Sequence, residues 1–258
     1  MLRELLAATA EEVWRRQQRC KIAELQRLAE DRTSVPLSAA LTTNSSQLSI
    51  IAEFKRSSPN GDIALHTDLV EQVQTYEKGG ASAISILTSM AFQATPEDLA
   101  VARNICQLPL LAKDFFLSDY QVYEAAAHGA SGLLLLASAL EVSELQKLHD
   151  LAIFLGLDVL LELHTEQEFQ YLQQLKLNEQ HVLIGLNNRN LDSGLIDLQT
   201  APFLKRHLET SLPIVAESGY DSRSQLVALE EQGFTAVLIG SSLMKAEDAK
   251  AALLELRC

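Results

Sequence analysis

Short apolar runs alternate with amphipathic stretches over most of this chain. The runs, rich in Leu, Ile, Val and Ala, cover residues 48–54, 83–87, 108–112, 132–137, 157–163, 181–186, 213–216 and 236–239. Each has strand length and is nearly continuous in apolar residues, the pattern of parallel strands buried on both faces. Segments with a helical period fill the gaps, at 68–78, 96–106, 119–128, 142–154, 166–175, 198–208, 222–231 and 246–256. Gly79-Gly80, Gly129, Gly156 and Gly233 stand where helix C-termini belong. Eight strand–helix units predict an α/β fold, a (β/α)8 TIM barrel closed on itself. An open doubly wound sheet is the alternative, and it ordinarily holds fewer strands.

Ahead of the first run, residues 1–32 are polar, with Leu5, Val13, Trp14, Ile22, Leu25 and Leu28 on a rough helical period. Trp14, the sole tryptophan, is expected to pin this helix to the body. Residues 33–47 are rich in Ser, Thr and Asn, contain Pro36, and read as a connector. The chain thus divides into an N-terminal helical extension, 1–47, packed on a barrel of residues 48–258.

The length of 258 residues suits one barrel, which takes about 250. A net charge of −13 disfavours nucleic acid or an anionic membrane as partner, since both need basic surface. An anionic ligand must then be met by a few placed Lys and Arg side chains or by backbone N–H groups. Cys20, Cys106 and Cys258 are odd in number and widely spaced, so they read as reduced thiols outside any disulfide or zinc site. The six histidines show no metal-ligand pairing. Residues 1–6 carry Glu4 and do not read as a signal peptide, and no apolar stretch nears the roughly 20 residues of a membrane span. The expectation is a soluble, cytoplasmic protein.

Chemistry gathers at the C-terminal ends of the runs, where a barrel places its active site. Strand 1 ends Glu53-Phe54-Lys55-Arg56-Ser57-Ser58-Pro59, strand 3 ends Lys113-Asp114-Phe115, and strand 5 ends Glu162-Leu163-His164-Thr165. Charge at the end of an apolar strand is costly unless something uses it. Inward side chains of alternate strands share a layer, so Glu53, Lys55, Lys113 and Glu162 are expected to converge over the mouth as a charge-balanced acid/base set. The structural alternative is a group of buried ion bridges that hold the barrel together. His164 reads as a structural neighbour of this set.

Strand 6 ends Asn187-Asn188-Arg189-Asn190, suited to hydroxyl and carboxylate recognition, although such a tetrapeptide also makes an ordinary turn. Strand 7 ends Glu217-Ser218-Gly219, and strand 8 ends Gly240-Ser241-Ser242. Glycine–serine ends that open a short helix match the phosphate cradle of barrels; the plainer reading is a serine helix cap. The chain carries no dinucleotide fingerprint and no P-loop.

In this order the motifs resemble the indole-3-glycerol phosphate synthase family. They are Ile51-Ala52-Glu53 with Lys55 and Ser58-Pro59, then Lys113-Asp114-Phe115, then Glu162 with His164-Thr165. Gly185 with Asn187-Asn188-Arg189, Glu217-Ser218-Gly219, and Ile239-Gly240 with Ser242-Leu243-Met244 follow, all behind a helical N-terminal extension. Each alone is weak, but their succession, one per strand end, is specific.

The resemblance implies ring closure, decarboxylation and dehydration of 1-(2-carboxyphenylamino)-1-deoxyribulose 5-phosphate in tryptophan biosynthesis. It implies Lys113 as general acid at the ribulose carbonyl and Glu162 as acid/base in the dehydration. Lys55 would orient the substrate carboxylate or act in the dehydration, Glu53 would position Lys55 or Lys113, and Asn187 would bind the reacting hydroxyl. Ser218 is carried over as a further catalytic residue, and Arg189 as partner of the anthranilate carboxylate. Ser58, Gly219, Gly240 and Ser241 would hold the phosphate, while Phe92, Phe115 and Leu134 would wall the aromatic ring. The ligand is then a small-molecule sugar phosphate, with no metal or organic cofactor required, and the protein a monomer or weak homo-oligomer.

The loop after strand 2, residues 87–95, departs from the family pattern. Relatives place an acidic residue after the Leu-Thr, one more residue before the Phe, and Gly-Ser where Ala94-Thr95 stand. Substrate preference or closure rate would change here. Two other readings compete. A sugar-phosphate isomerase on the same barrel, such as phosphoribosylanthranilate isomerase, would not supply the N-terminal helices or the strand 1 Glu-x-Lys pair. A barrel that binds a phosphorylated ligand or a partner without turnover comes from another class, because barrels host many chemistries.

Overall fold

The computed structural model describes residues 2–30, 35–43, 47–58, 61–63 and 67–257, without the side chains of Ser58 and Asp62. The eight apolar runs become strands β1 (Ser49–Phe54), β2 (Ala83–Leu87), β3 (Leu110–Lys113) and β4 (Gly132–Leu136), then β5 (Asp158–Leu163), β6 (Val182–Asn187), β7 (Ile214–Glu217) and β8 (Ala236–Ile239). Neighbours are parallel, and β1 pairs with both β2 and β8, which closes the sheet into a barrel. Nearly every strand residue is buried, because one face meets helices and the other fills the barrel.

The helices follow as α4 (Leu69–Lys78), α5 (Glu97–Ile105), α6 (Asp119–Ala127), α7 (Val142–Phe154), α8 (Phe169–Gln174), α9 (Thr200–His207) and α10 (Arg223–Glu231). After β8 come a short α11 (Ser241–Lys245) and α12 (Ala249–Arg257). The segment expected as one helix at 166–175 opens with a 3-10 turn, Glu166–Glu168. Gly129 and Gly156 follow α6 and α7 at φ +86° and +68°, where a side chain would be strained.

Register decides what fills the barrel. Outward residues such as Ile50, Ala52 and Phe54 join the large core shared with the helices. Inward residues Ile51, Leu111, Leu160 and Val215 form an apolar layer from the odd strands. Two residues further along the same strands lie Glu53, Lys113, Glu162 and Glu217. The even strands interleave with them: Ser85, Leu134, Gly185 and Leu238 lie beneath, and Leu87, Leu136 and Asn187 above. One alternation therefore builds both an apolar floor and a charged ceiling.

The N-terminal region differs from expectation in three ways. Its helix is two, α1 (Leu2–Arg19) and α2 (Ile22–Glu30), broken at Cys20-Lys21. Trp14 does not pin it to the body but is 58% exposed. Thr9 and Val13, one helical turn apart, face inward, and the residue after Val13 is rotated about 100° away. Val13, Leu25 and Tyr120 of α6 make the actual contact cluster.

The supposed connector holds α3 (Leu37–Thr42), and its Leu37 and Leu41 close the bottom of the barrel against Ile51, Ala83, Leu111 and Leu183. Asp158, at the buried start of β5, accepts from Ser38 N at 2.7 Å and contacts His181 Nδ1 at 2.7 Å. A buried carboxylate is thereby satisfied while it anchors the plug.

Candidate active site at the barrel mouth

The C-terminal ends of the strands surround a cavity of about 360 Å³. Glu53, Lys55, Lys113, Glu162, Asn187 and Ser218 all line it, as do Arg189, Gly219, Gly240, Ser241, Phe92, Phe115 and Leu134. Pro59 and the side chain of Ser58 lie outside the described residues; Ser57 borders the cavity beside them.

Lys113 is the hub. Its Nζ lies 3.2 Å from Glu162 Oε2 and 3.4 Å from Glu217 Oε2. Burial alone would lower its pKa, but the carboxylates of Glu162, Glu217 and Glu53 outweigh that and raise it. The group is held as an ammonium. Glu162 is buried too, which disfavours its charge, yet Lys113, His164 and Asn187 hold its pKa well below the usual carboxylate range. Asn187 Nδ2 donates to its Oε1 at 2.8 Å, so this amide orients the carboxylate. Glu53 Oε1 accepts from Lys55 Nζ at 2.6 Å, which makes Lys55 its direct partner.

Glu217 is the site residue the sequence reading passed over, named there only as part of a motif. It is 1% exposed and completes the odd-strand layer. The rule that gathered Glu53, Lys113 and Glu162 applies equally to β7 and would have found it. The charge balance changes accordingly: three carboxylates meet two lysines, where two pairs were expected. Burial and the nearby charge of Glu162 push the Glu217 pKa up, against the pull of Lys113. The third carboxylate is thus the one that most readily holds a proton.

Glycines make room for these groups. A Cβ on Gly185 would overlap Glu217 Oε1, and one on Gly240 would lie 2.9 Å from Lys55 Nζ and overlap Glu53. Ser218 and Gly219 have φ of +66° and +94°, so the chain turns sharply after β7 and carries Ser218 to the cavity wall. Asn188 Nδ2 holds this turn by donating to Ser218 O at 2.8 Å.

The apolar side is built by Leu134 and by Phe92 and Phe115, whose ring centroids are 6.4 Å apart. Phe92 comes from the loop after β2, a 3-10 turn (Met90–Phe92) capped by Ser89. Met90 N donates to Glu12 of α1 at 3.1 Å, and Leu2 and Leu5 of α1 reach the cavity wall. The extension therefore borders the site, which its rough helical period alone did not reveal. Arg189 Nη1 donates to Gly194 O at 3.0 Å, which aims its guanidinium from the loop after β6. Lys245, at the end of α11, adds a cation to the rim.

Comparison with known proteins shows the family of the chain. The family model described as indole-3-glycerol phosphate synthase matches residues 2–256. A protein of that name from Streptococcus pneumoniae (strain Hungary19A-6) is 35% identical over 259 aligned residues, covering 100% of this chain and 98% of that one. Another from Bacillus cereus (strain B4264) is 42% identical over 201 residues, 77% of this chain and 78% of its own length. Among solved structures, a mutant tryptophan synthase alpha-subunit from Pyrococcus furiosus superposes with a TM-score of 0.61 at 17% identity, covering 81% of this chain and 97% of that one. A thiamine phosphate pyrophosphorylase from Pyrococcus furiosus gives 0.57 at 19% identity, covering 83% and 94%. At such identities these two structures support the barrel fold alone.

Proposed function

The chain belongs to the indole-3-glycerol phosphate synthase family, carboxy-lyases of tryptophan biosynthesis, and we propose that the charged layer of its barrel carries out that reaction. The substrate is 1-(2-carboxyphenylamino)-1-deoxyribulose 5-phosphate, whose ring closes with loss of carbon dioxide and water. Family membership disfavours the isomerase and the binding-only readings. The observation that carries the site assignment is the Lys113 ammonium, fixed between two buried carboxylates beneath an aromatic wall.

Ring closure turns the ribulose carbonyl oxygen into an alkoxide, which needs a proton as it forms. Lys113 keeps its proton in the free enzyme and releases it only to a more basic group, which the alkoxide is. After decarboxylation the new hydroxyl must leave and a neighbouring C–H proton must be removed. Glu162 is ionised and so takes that proton, then gives it to the departing hydroxyl. Asn187 holds Glu162 and the hydroxyl in register. Glu53 steadies Lys55 against the substrate carboxylate, and Arg189 pairs with the same carboxylate.

The phosphate is assigned to Gly219, Gly240 and Ser241, with Ser57 and Lys245 at the edge. Ser218, at the strained turn, directs a hydroxyl toward the reacting sugar. The aromatic ring stacks among Phe92, Phe115 and Leu134. Among the described residues no helix is long and apolar enough to cross a membrane.

The test is direct. Purified protein mixed with the carboxyphenylamino-ribulose phosphate should develop indole fluorescence and release carbon dioxide in equal amounts. Fluorescence that never rises above the uncatalysed rate would remove the assignment.

A further inference from the structure

The proposed reaction has a proton imbalance that the barrel mouth does not resolve. The carbonyl oxygen gains one proton and the leaving hydroxyl a second, while the carbon beside the nitrogen returns one. Each turnover therefore consumes one solvent proton, and Lys113 ends as a neutral amine. Lys113 lines the cavity assigned to substrate, so with that cavity occupied a second route for the proton is needed.

His164 lies on the far side of Glu162 from Lys113. Its Nε2 is 3.0 Å from Glu162 Oε1, while Glu162 Oε2 is 3.2 Å from Lys113 Nζ. The His164 side chain is 6% exposed, and neither ring nitrogen has a well-formed hydrogen bond among the described residues. His164 also lines a second groove of about 450 Å³ with Thr165, Asp197, Thr200, Phe203 and Arg206. This groove opens between the β5 and β6 ends, apart from the substrate cavity. The charged groups near the ring are Glu162 and Glu168, the latter at 3.9 Å from Nδ1, while Glu166, Asp197 and Arg206 line the same groove.

The geometry points to His164 as the proton inlet that recharges Lys113 through Glu162. The imidazolium Nε2–H breaks as an O–H forms on Glu162 Oε1; rotation of the carboxyl group turns that O–H toward Lys113, where it breaks as an N–H forms on the neutral amine. The imidazole left behind regains its proton from groove water between turnovers. His164 touches no substrate; it acts through Glu162, and the inference rests on the proton-transfer roles proposed above.

His164→Ala and the better space-filling His164→Asn test it by rapid mixing with excess substrate. Lys113 starts protonated, so the first turnover should run at the wild-type rate and give a burst of one product per enzyme. Later turnovers should slow by about 100-fold, the scale of a lost positioned proton donor. KM should change little, the loss should shrink toward pH 6, and added imidazole should restore steady turnover. A burst with rescue supports the inlet. Steady turnover equal to wild type in both variants overturns it, and so does a first turnover slowed as much as the rest without imidazole rescue. Wild-type protein without activity would instead refute the function, and an undiminished Glu162→Gln variant the role of Glu162.

Discussion

Lys113 and Asp114 are adjacent on one strand end and meet opposite environments, since successive side chains of a strand face opposite ways. Lys113 points into the charged layer. Lys113→Ala should lower turnover by about 100-fold or more while product affinity, read by fluorescence titration, stays nearly intact. Wild-type turnover in that variant would take Lys113 out of the chemistry. Asp114 turns the other way, accepting from Phe115 N at 2.8 Å and from Thr88 Oγ1 at 3.3 Å. Burial pushes its carboxyl up to about 7, despite the bond from Phe115 and the charge of Arg16. Its unfolded value is about 3.9, so between about pH 4 and 7 the folded state binds the extra proton. Stability from this group is full below that window and is lost as pH rises through it. Asp114→Asn keeps the bond from Phe115 N and reverses the one with Thr88, whose hydroxyl accepts from the amide, and it should flatten that decline, visible as a smaller change in urea midpoint between pH 5 and 8. Glu124, pushed to about 7 by burial against the pull of Arg16, will keep part of the slope. A slope identical to wild type would place the titration elsewhere.

Among the elements, α3 and α11 do opposite jobs at opposite ends of the barrel. The plug helix α3 buries Leu37 and Leu41 beneath the apolar layer, and Leu37 also packs on Gly132, where any Cβ would crowd it. Leu37→Ala should cost about 2–5 kcal/mol, as deletion of a buried leucine does, with kcat and KM unchanged because three layers separate it from the mouth. Denaturant unfolding beside steady-state kinetics measures both; a stable variant with altered KM would contradict the division of labour. At the other end, Ser241 opens α11 beside Gly240 and Gly219. Ser241→Asp puts a carboxylate where the phosphate is assigned, so KM should rise by about tenfold or more, one unscreened like-charge contact being worth over 1 kcal/mol. If KM holds, the phosphate lies elsewhere along the rim.

At the scale of the whole molecule, a net charge of −13 faces a substrate that carries a phosphate and a carboxylate. Long-range repulsion slows such an encounter, and salt screens it. The ratio kcat/KM should therefore rise as ionic strength goes from about 0.01 to 0.15 M, where the screening length falls from about 30 to 8 Å. A steep fall would show instead that Lys55, Lys113, Arg189 and Lys245 govern the field at the mouth.

The barrel was legible in the chain because its cause is local: a strand buried on both faces must be apolar along its length, and eight such runs at helix-length spacing leave few other folds. The strand-end charges were legible for a related reason, since a Lys or Glu closing an apolar run has no structural economy of its own. Collective geometry decided the rest. Gly185 and Gly240 gained meaning only beside the carboxylates they admit, which the closed sheet brings together. Trp14 faced solvent because packing against α6 sets the rotation of α1, which a rough period of apolar residues left open. The polar composition of residues 33–47 likewise hid a plug whose two leucines are stable as a helix only inside the barrel that they close.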